Sequence, residues 1–111
     1  CLPLVAYFDS LPFEEKIRAL GELNSLSFHF GVRESTSEAN DMSRAVLELN
    51  LAGSSKIAIQ NMPDLLHQGK EGRINDPSHA QGNWTYRISE EDLSKKLSKE
   101  LLEKNQFYGR I

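Results

Sequence analysis

Apolar positions along the chain fall into three stripes at helical spacing, one short β-branched block, and a long stretch with no period. Phe13, Ile17 and Leu20 recur at three- and four-residue intervals behind Ser10-Leu11-Pro12, and the acids Glu14 and Glu15 face the positive end of the helix so begun. The pattern predicts a helix over about 11–23, ending near Leu23-Asn24. Phe28 and Phe30 then alternate around His29, which fits a short strand or a packed loop equally well. Met42, Val46 and Leu49 form the second stripe behind Ser35-Thr36-Ser37-Glu38, and Gly53 offers a left-handed stop, so a second helix is predicted over about 37–52.

Lys56-Ile57-Ala58-Ile59-Gln60 is too short for a helix and rich in β-branched residues, which predicts a buried strand over about 56–60. A helix running directly into a buried strand points to an α/β layer. Ser89-Glu90-Glu91-Asp92 reads as a capping box, and Leu93, Leu97, Leu101 and Leu102 supply the buried face of a closing helix over about 90–104. Between Asn61 and Tyr86 the punctuation of Pro63, Gly69, Gly72, Pro77 and Gly82 defeats both periods. A stretch of that length is either disordered or built for a function, and an ordered loop of this kind is characteristically a binding element. With no internal repeat, low-complexity tract or linker, residues 1–111 read as a single segment.

Charge narrows the function classes. A formal net charge of −3, with lysines and arginines scattered among acids, argues against nucleic acid or an anionic membrane as partner. No apolar run approaches the length of a membrane span. Cys1 is the only cysteine, so no internal disulfide forms and a reducing cytoplasm is the expected setting. The opening Cys1-Leu2-Pro3-Leu4-Val5-Ala6 lacks a basic start and a Met, which reads as a beginning inside a longer polypeptide.

The informative stretch is Asp64-Leu65-Leu66, followed by Glu71, Arg73, Asn75 and Pro77 at alternate positions and then by Gly82-Asn83-Trp84-Thr85-Tyr86-Arg87. In joint spacing this resembles the late signature of the 4-α-glucanotransferases, the amylomaltases and disproportionating enzymes, over roughly the central quarter of the chain. Two departures stand out: Pro63 precedes the aspartate where family members commonly carry Gln, and Ser78-His79 follow the proline where they carry Gly-Thr. Ile74 and Tyr86 keep size and polarity close to the family pattern.

The resemblance implies the C-terminal portion of a (β/α)8 TIM-type barrel, its last strand plus flanking helices, helix-rich when taken alone. It implies a parent enzyme that transfers α-1,4-glucan segments between maltodextrins, with no cofactor and no metal. Retaining transfer needs a carboxylate nucleophile and an acid/base, and related enzymes place a third carboxylate after a His. None of His29, His67 or His79 is followed by Asp, so no catalytic residue is expected in this chain. The partners implied are a maltodextrin and the preceding, N-terminal part of the same enzyme.

What the resemblance leaves to these residues is binding. Amides recognise sugar hydroxyls and an aromatic ring covers the apolar face of a sugar, so Asn75, Asn83 and Trp84 are the candidate substrate-binding residues on the acceptor side. Structural support falls to Asp64 as a local cap on Leu65-Leu66, to an ion pair between Glu71 and Arg73, and to Arg87 tying the loop down. The plainer alternatives are a turn-forming Asn75 and a Trp84 that is a partly buried anchor of its loop. His67 and His79 lack a second ligand at metal spacing and read as exposed loop residues. Two rival readings of the whole chain stay open: a self-standing helical interaction module and a non-catalytic carbohydrate-binding unit.

Overall fold

The computed structural model describes residues 2–76, 78–79 and 81–111. Two prolines begin the first two helices. Pro3 precedes α1 (Leu4–Ser10), and Pro12 precedes α2 (Phe13–Phe30), each with the extended backbone that suits the residue before a helix. Helix α1 is absent from the sequence expectation, which takes Ser10 as the cap of the following helix. Ser10 is instead the last residue of α1, and its hydroxyl donates to the Tyr7 carbonyl.

Helix α2 passes through Asn24 and stops at Gly31, where φ is 72°. The Gly31 amide donates to the Phe28 carbonyl and the Val32 amide to the Ser27 carbonyl, the paired bonds of a Schellman ending. Asn24 has a longer-range task. Its side-chain amide donates to the Ser35 carbonyl and its oxygen accepts from the Ser35 amide, which fixes the connection from α2 into α3 (Ala39–Ala52).

Helices α1 and α2 both pack on α3. Val5, Phe8, Ala39 and Met42 make the buried cluster, with Leu11, Leu20, Leu23 and Val46 packed around it. Met42 is fully buried at 0% exposure, and removing such a side chain from water contributes roughly 1.5–3 kcal/mol.

The end of α3 differs from expectation. Gly53 has φ −68°, so it is extended rather than left-handed. The carbonyls left over at this end are taken by Arg110, whose guanidinium donates to Leu51 at 3.0 Å, Gly53 at 3.3 Å and Asn50 at 3.5 Å.

No strand forms at 56–60; the segment runs as irregular chain, and Ile57 and Ile59 stand 77% and 83% exposed. A strand exists through hydrogen bonds to a neighbouring strand, and the described residues supply none. Three short elements follow: α4 (Met62–Leu65), a 3-10 turn over Lys70–Gly72 and another over Glu90–Asp92. The Ser89 capping box forms, but it closes the second 3-10 turn. Helix α5 (Lys95–Phe107) has its own cap in Ser94, whose hydroxyl accepts from the Leu97 amide. The expected leucine face is only half realised: Leu97 and Leu101 are half-buried, while Leu93 and Leu102 are exposed.

Candidate functional site

A cleft of about 220 Å3 opens where the entry to α1 meets α4 and the long loop. Leu2 and Pro3 line one side, Pro63 and Asp64 of α4 another, and Gly72, Ile74, Asn75 and Trp84 of the loop a third. The volume falls below the roughly 300–1,000 Å3 of a complete ligand pocket.

Three interactions build the cleft. Asp64 is 8% exposed, and its Oδ1 accepts from the Leu4 amide at 2.8 Å, which places a carboxylate at the positive start of α1. This replaces the expected local cap: Asp64 lies within α4, and the amide it serves belongs to a distant helix. Gly72 brings the first 3-10 turn against α4 so closely that a Cβ added there would sit 2.8 Å from Pro63 Cβ. Tyr86 returns the far end of the loop, its hydroxyl donating to Gln68 Oε1 at 2.6 Å. Burial is the main reason that its phenol is pushed up, with the Asp92 charge next.

Asn75 and Trp84 face the same cleft, and Asn83 does not line it. The Asn83 side chain is occupied in bracing the turn, accepting from the Asp76 amide at 2.7 Å and donating to the His79 carbonyl at 2.9 Å. Trp84 is 71% exposed rather than a partly buried anchor, and its backbone sits at φ 62°. Arg73 does not meet Glu71. It pairs with Asp76 at 3.4 Å and donates from Nε to the Asn75 carbonyl at 3.3 Å, while Glu71 turns back to accept from the Gly69 amide. Alternation along the sequence suggested a side-by-side pair; the 3-10 turn at 70–72 separates the two side chains. Arg87 donates to the Tyr86 carbonyl at 3.0 Å.

The histidines divide. His79 is exposed, whereas His67 is half-buried at φ 54°, with Nδ1 out of solvent and without a hydrogen-bond partner. Burial first, then the charges of Arg44 and Lys104, hold its pKa below the ordinary value. His67 shares a small cleft with Leu97, Glu100, Leu101 and Lys104 of α5, which no local signal around His67 records. Asp76, Ser78 and His79 gather a carboxylate, a hydroxyl and an imidazole, yet both Ser78 Oγ and Asp76 Oδ2 meet the same nitrogen, Nδ1. A proton relay needs the two partners on opposite ring nitrogens, so this cluster cannot activate a serine. Among the described residues, no group of three or more His, Cys, Asp or Glu side chains could hold a metal ion, and no helix is long and apolar enough to cross a membrane.

The family model described as 4-alpha-glucanotransferase matches residues 3–94, most of the chain. The chain belongs to the 4-α-glucanotransferase family. It is 31% identical over 108 residues to the chloroplastic/amyloplastic 4-alpha-glucanotransferase of Solanum tuberosum, covering 95% of this chain and 17% of that protein. It is 34% identical over 109 residues to the 4-alpha-glucanotransferase of Aquifex aeolicus, covering 97% of this chain and 20% of that one. Among solved structures it is similar to the amylomaltase from Streptococcus agalactiae in complex with acarbose, with TM-score 0.74 and 25% identity over 98% of this chain. The chain spans a fifth or less of the length of these relatives.

Proposed function

We propose that this chain is part of an enzyme that transfers α-1,4-glucan segments between maltodextrins, and that the Asn75–Trp84 cleft contributes to the wall of its groove on the acceptor side. One observation carries the reading: Asn75 and Trp84, separated by a long polar loop, share a concave surface in a chain of this family. The surface offers an amide for sugar hydroxyls and an indole for the apolar face of a ring. Its small volume fits one side of a groove whose other side lies in residues outside the chain.

On this reading residues 56–60 are the last strand of a (β/α)8 barrel, and Ile57 and Ile59 become buried beside neighbouring strands. The catalytic carboxylates belong to another part of the enzyme. Asp64, the carboxylate that lines the cleft, is committed to the Leu4 amide, which suits a supporting role. The setting proposed is cytoplasmic, without metal or cofactor in the reaction. Family membership weighs against a self-standing interaction module.

The test is direct. The purified chain, incubated with maltotriose, is expected to yield no longer or shorter maltodextrins. Robust disproportionation would contradict the placement of the catalytic carboxylates elsewhere.

A further inference from the structure

The turn between Asn75 and Trp84 is held together from its interior. Asp76 Oδ1 accepts from the Ser78 amide at 3.0 Å and from the Ser78 hydroxyl at 2.6 Å. Oδ2 faces His79 Nδ1 at 2.9 Å, and Arg73 lies 3.4 Å from the carboxylate. Asn83 closes the ring, joining the Asp76 amide to the His79 carbonyl. Beyond the ring, the Trp84 amide donates to the Ile74 carbonyl at 2.7 Å.

Sequence adjacency transmits this order to the cleft. Asp76 follows Asn75, and Asn83 precedes Trp84, so the clasp sits at the base of both residues that line the concave surface. Trp84 needs such support. A bulky residue at φ 62° occupies a strained left-handed conformation, which persists only where its surroundings hold it. Its ring is largely exposed, so side-chain packing does not impose it; the support available is the Trp84 amide bond to Ile74 and the side-chain clasp that ends at the preceding Asn83.

We propose that Asp76 is a positioning residue: its carboxylate, gathered by Ser78, His79 and Arg73, fixes the turn that presents Trp84 and Asn75 to the cleft. Asp76 does not line the cleft itself and acts through its neighbours. A carboxylate suits the task because hydrogen bonds to an ionised acceptor are roughly twice as strong as neutral ones, and Asp76 makes them with Ser78 and His79 while the Arg73 charge lies beside it. The consequence for glucan binding rests on the acceptor-wall reading above; the positioning of Trp84 does not.

Amide hydrogen exchange in the 15N-labelled 111-residue chain separates the two. In Asp76→Ala, the Trp84 amide is expected to exchange about tenfold faster, the effect of losing charge-assisted hydrogen bonds, while the Met42 amide in the core is unchanged. His79→Ala should accelerate Trp84 exchange less, and His79→Gln, which keeps a donor for Oδ2, should restore it. If Asp76→Ala also loosens Met42, the milder Asp76→Asn decides by the same comparison. Trp84 exchange unchanged in these Asp76 variants overturns the proposal. A parallel titration with maltoheptaose is expected to show about tenfold weaker binding in Asp76→Ala. Faster Trp84 exchange together with no binding by any form, the natural sequence included, would leave the positioning intact and remove the glucan reading.

Discussion

The Asp64 carboxylate accepts a hydrogen bond from the Leu4 amide at 2.8 Å across 60 residues of sequence. The bond joins the start of α1 to α4 and sets one corner of the cleft. Replacing Asp64 by Ala leaves a helix-start amide unserved in a partly buried place, and is expected to destabilise the chain by about 1–3 kcal/mol. Asp64→Asn keeps the acceptor and should recover part of the loss. Urea unfolding followed by far-UV circular dichroism measures both, and equal stability of Asp64→Ala and the natural sequence would contradict the anchoring role.

Gly72 tests the close approach of loop and helix. An added Cβ meets Pro63 Cβ at 2.8 Å and Gln68 Cβ at 3.0 Å. The proline ring cannot swing aside, so Gly72→Ala is expected to cost about 1–3 kcal/mol through overpacking. The shift should appear as a lower thermal midpoint, with changed amide resonances at Ile74 and Asn75. Gly21, which has nothing near its absent side chain, serves as the control, and Gly21→Ala should leave the fold intact.

Arg110 predicts a difference between two cations. Its guanidinium spans carbonyls at the end of α3, from Asn50 to Gly53, and reaches Lys56 at 3.4 Å. A lysine ammonium is a point charge without that planar fork. Arg110→Lys is therefore expected to lose most of what Arg110→Ala loses, and thermal unfolding of the two variants should show close midpoints, both below that of the natural chain.

Alkaline stability should depend on Tyr108. Its hydroxyl donates to Glu48 Oε1 at 3.2 Å, and burial first, then the Glu48 charge, pushes the phenol up to about 12. The folded chain holds this proton more tightly than the unfolded chain, whose phenols ionise near 10. The resulting stability is complete below pH of about 10 and is lost as pH rises through about 12. Tyr108→Phe should remove that alkaline dependence, as seen by unfolding midpoints across the range. An undiminished alkaline loss in Tyr108→Phe would assign it to another group.

The acid side should report on the loop. Hydrogen bonds from Ser78, first from its hydroxyl and then from its amide, hold Asp76 at about 2 against an ordinary 3.8. With the folded pKa depressed, the clasp contributes above pH of about 3.8 and is lost as pH falls through about 2. Loss of Trp84 amide protection, taken relative to the intrinsic exchange rate at each pH, across that window and absent in Asp76→Ala, is the expected outcome.

How far the sequence reveals this molecule depends on the range of the forces involved. The apolar stripe of Met42, Val46 and Leu49 is local, and α3 runs Ala39–Ala52 where the stripe places a helix over about 37–52. Helix α1 is hidden because its start is secured by Asp64, a contact that no window around Leu4 contains. Asn24 suggests a helix end by type, yet its side chain reaches Ser35 and the helix continues to Gly31. The β-branched block at 56–60 needs neighbouring strands, and the described residues offer none.

The cleft divides in the same way. The family resemblance brings Asn75, Asn83 and Trp84 forward together, and Asn75 and Trp84 line one surface. Alternation along the chain pairs Glu71 with Arg73, and the intervening 3-10 turn sends Arg73 to Asp76 instead. Asn83 has the right chemistry for a sugar but spends both ends of its amide on the turn. Asp76 is inconspicuous in the sequence because its value lies in three partners that only the folded turn assembles.

The surface shared by Asn75 and Trp84 is proposed to border a groove for α-1,4-glucan. An NMR titration of the labelled chain with maltoheptaose into the millimolar range, where weak partial sites saturate, tests it most directly. Saturable shifts are expected at the Asn75 side-chain amide, the Trp84 indole and the Ile74 amide, with α2 and α5 unaffected. Saturable shifts centred elsewhere, or none at the cleft at any concentration, would contradict it.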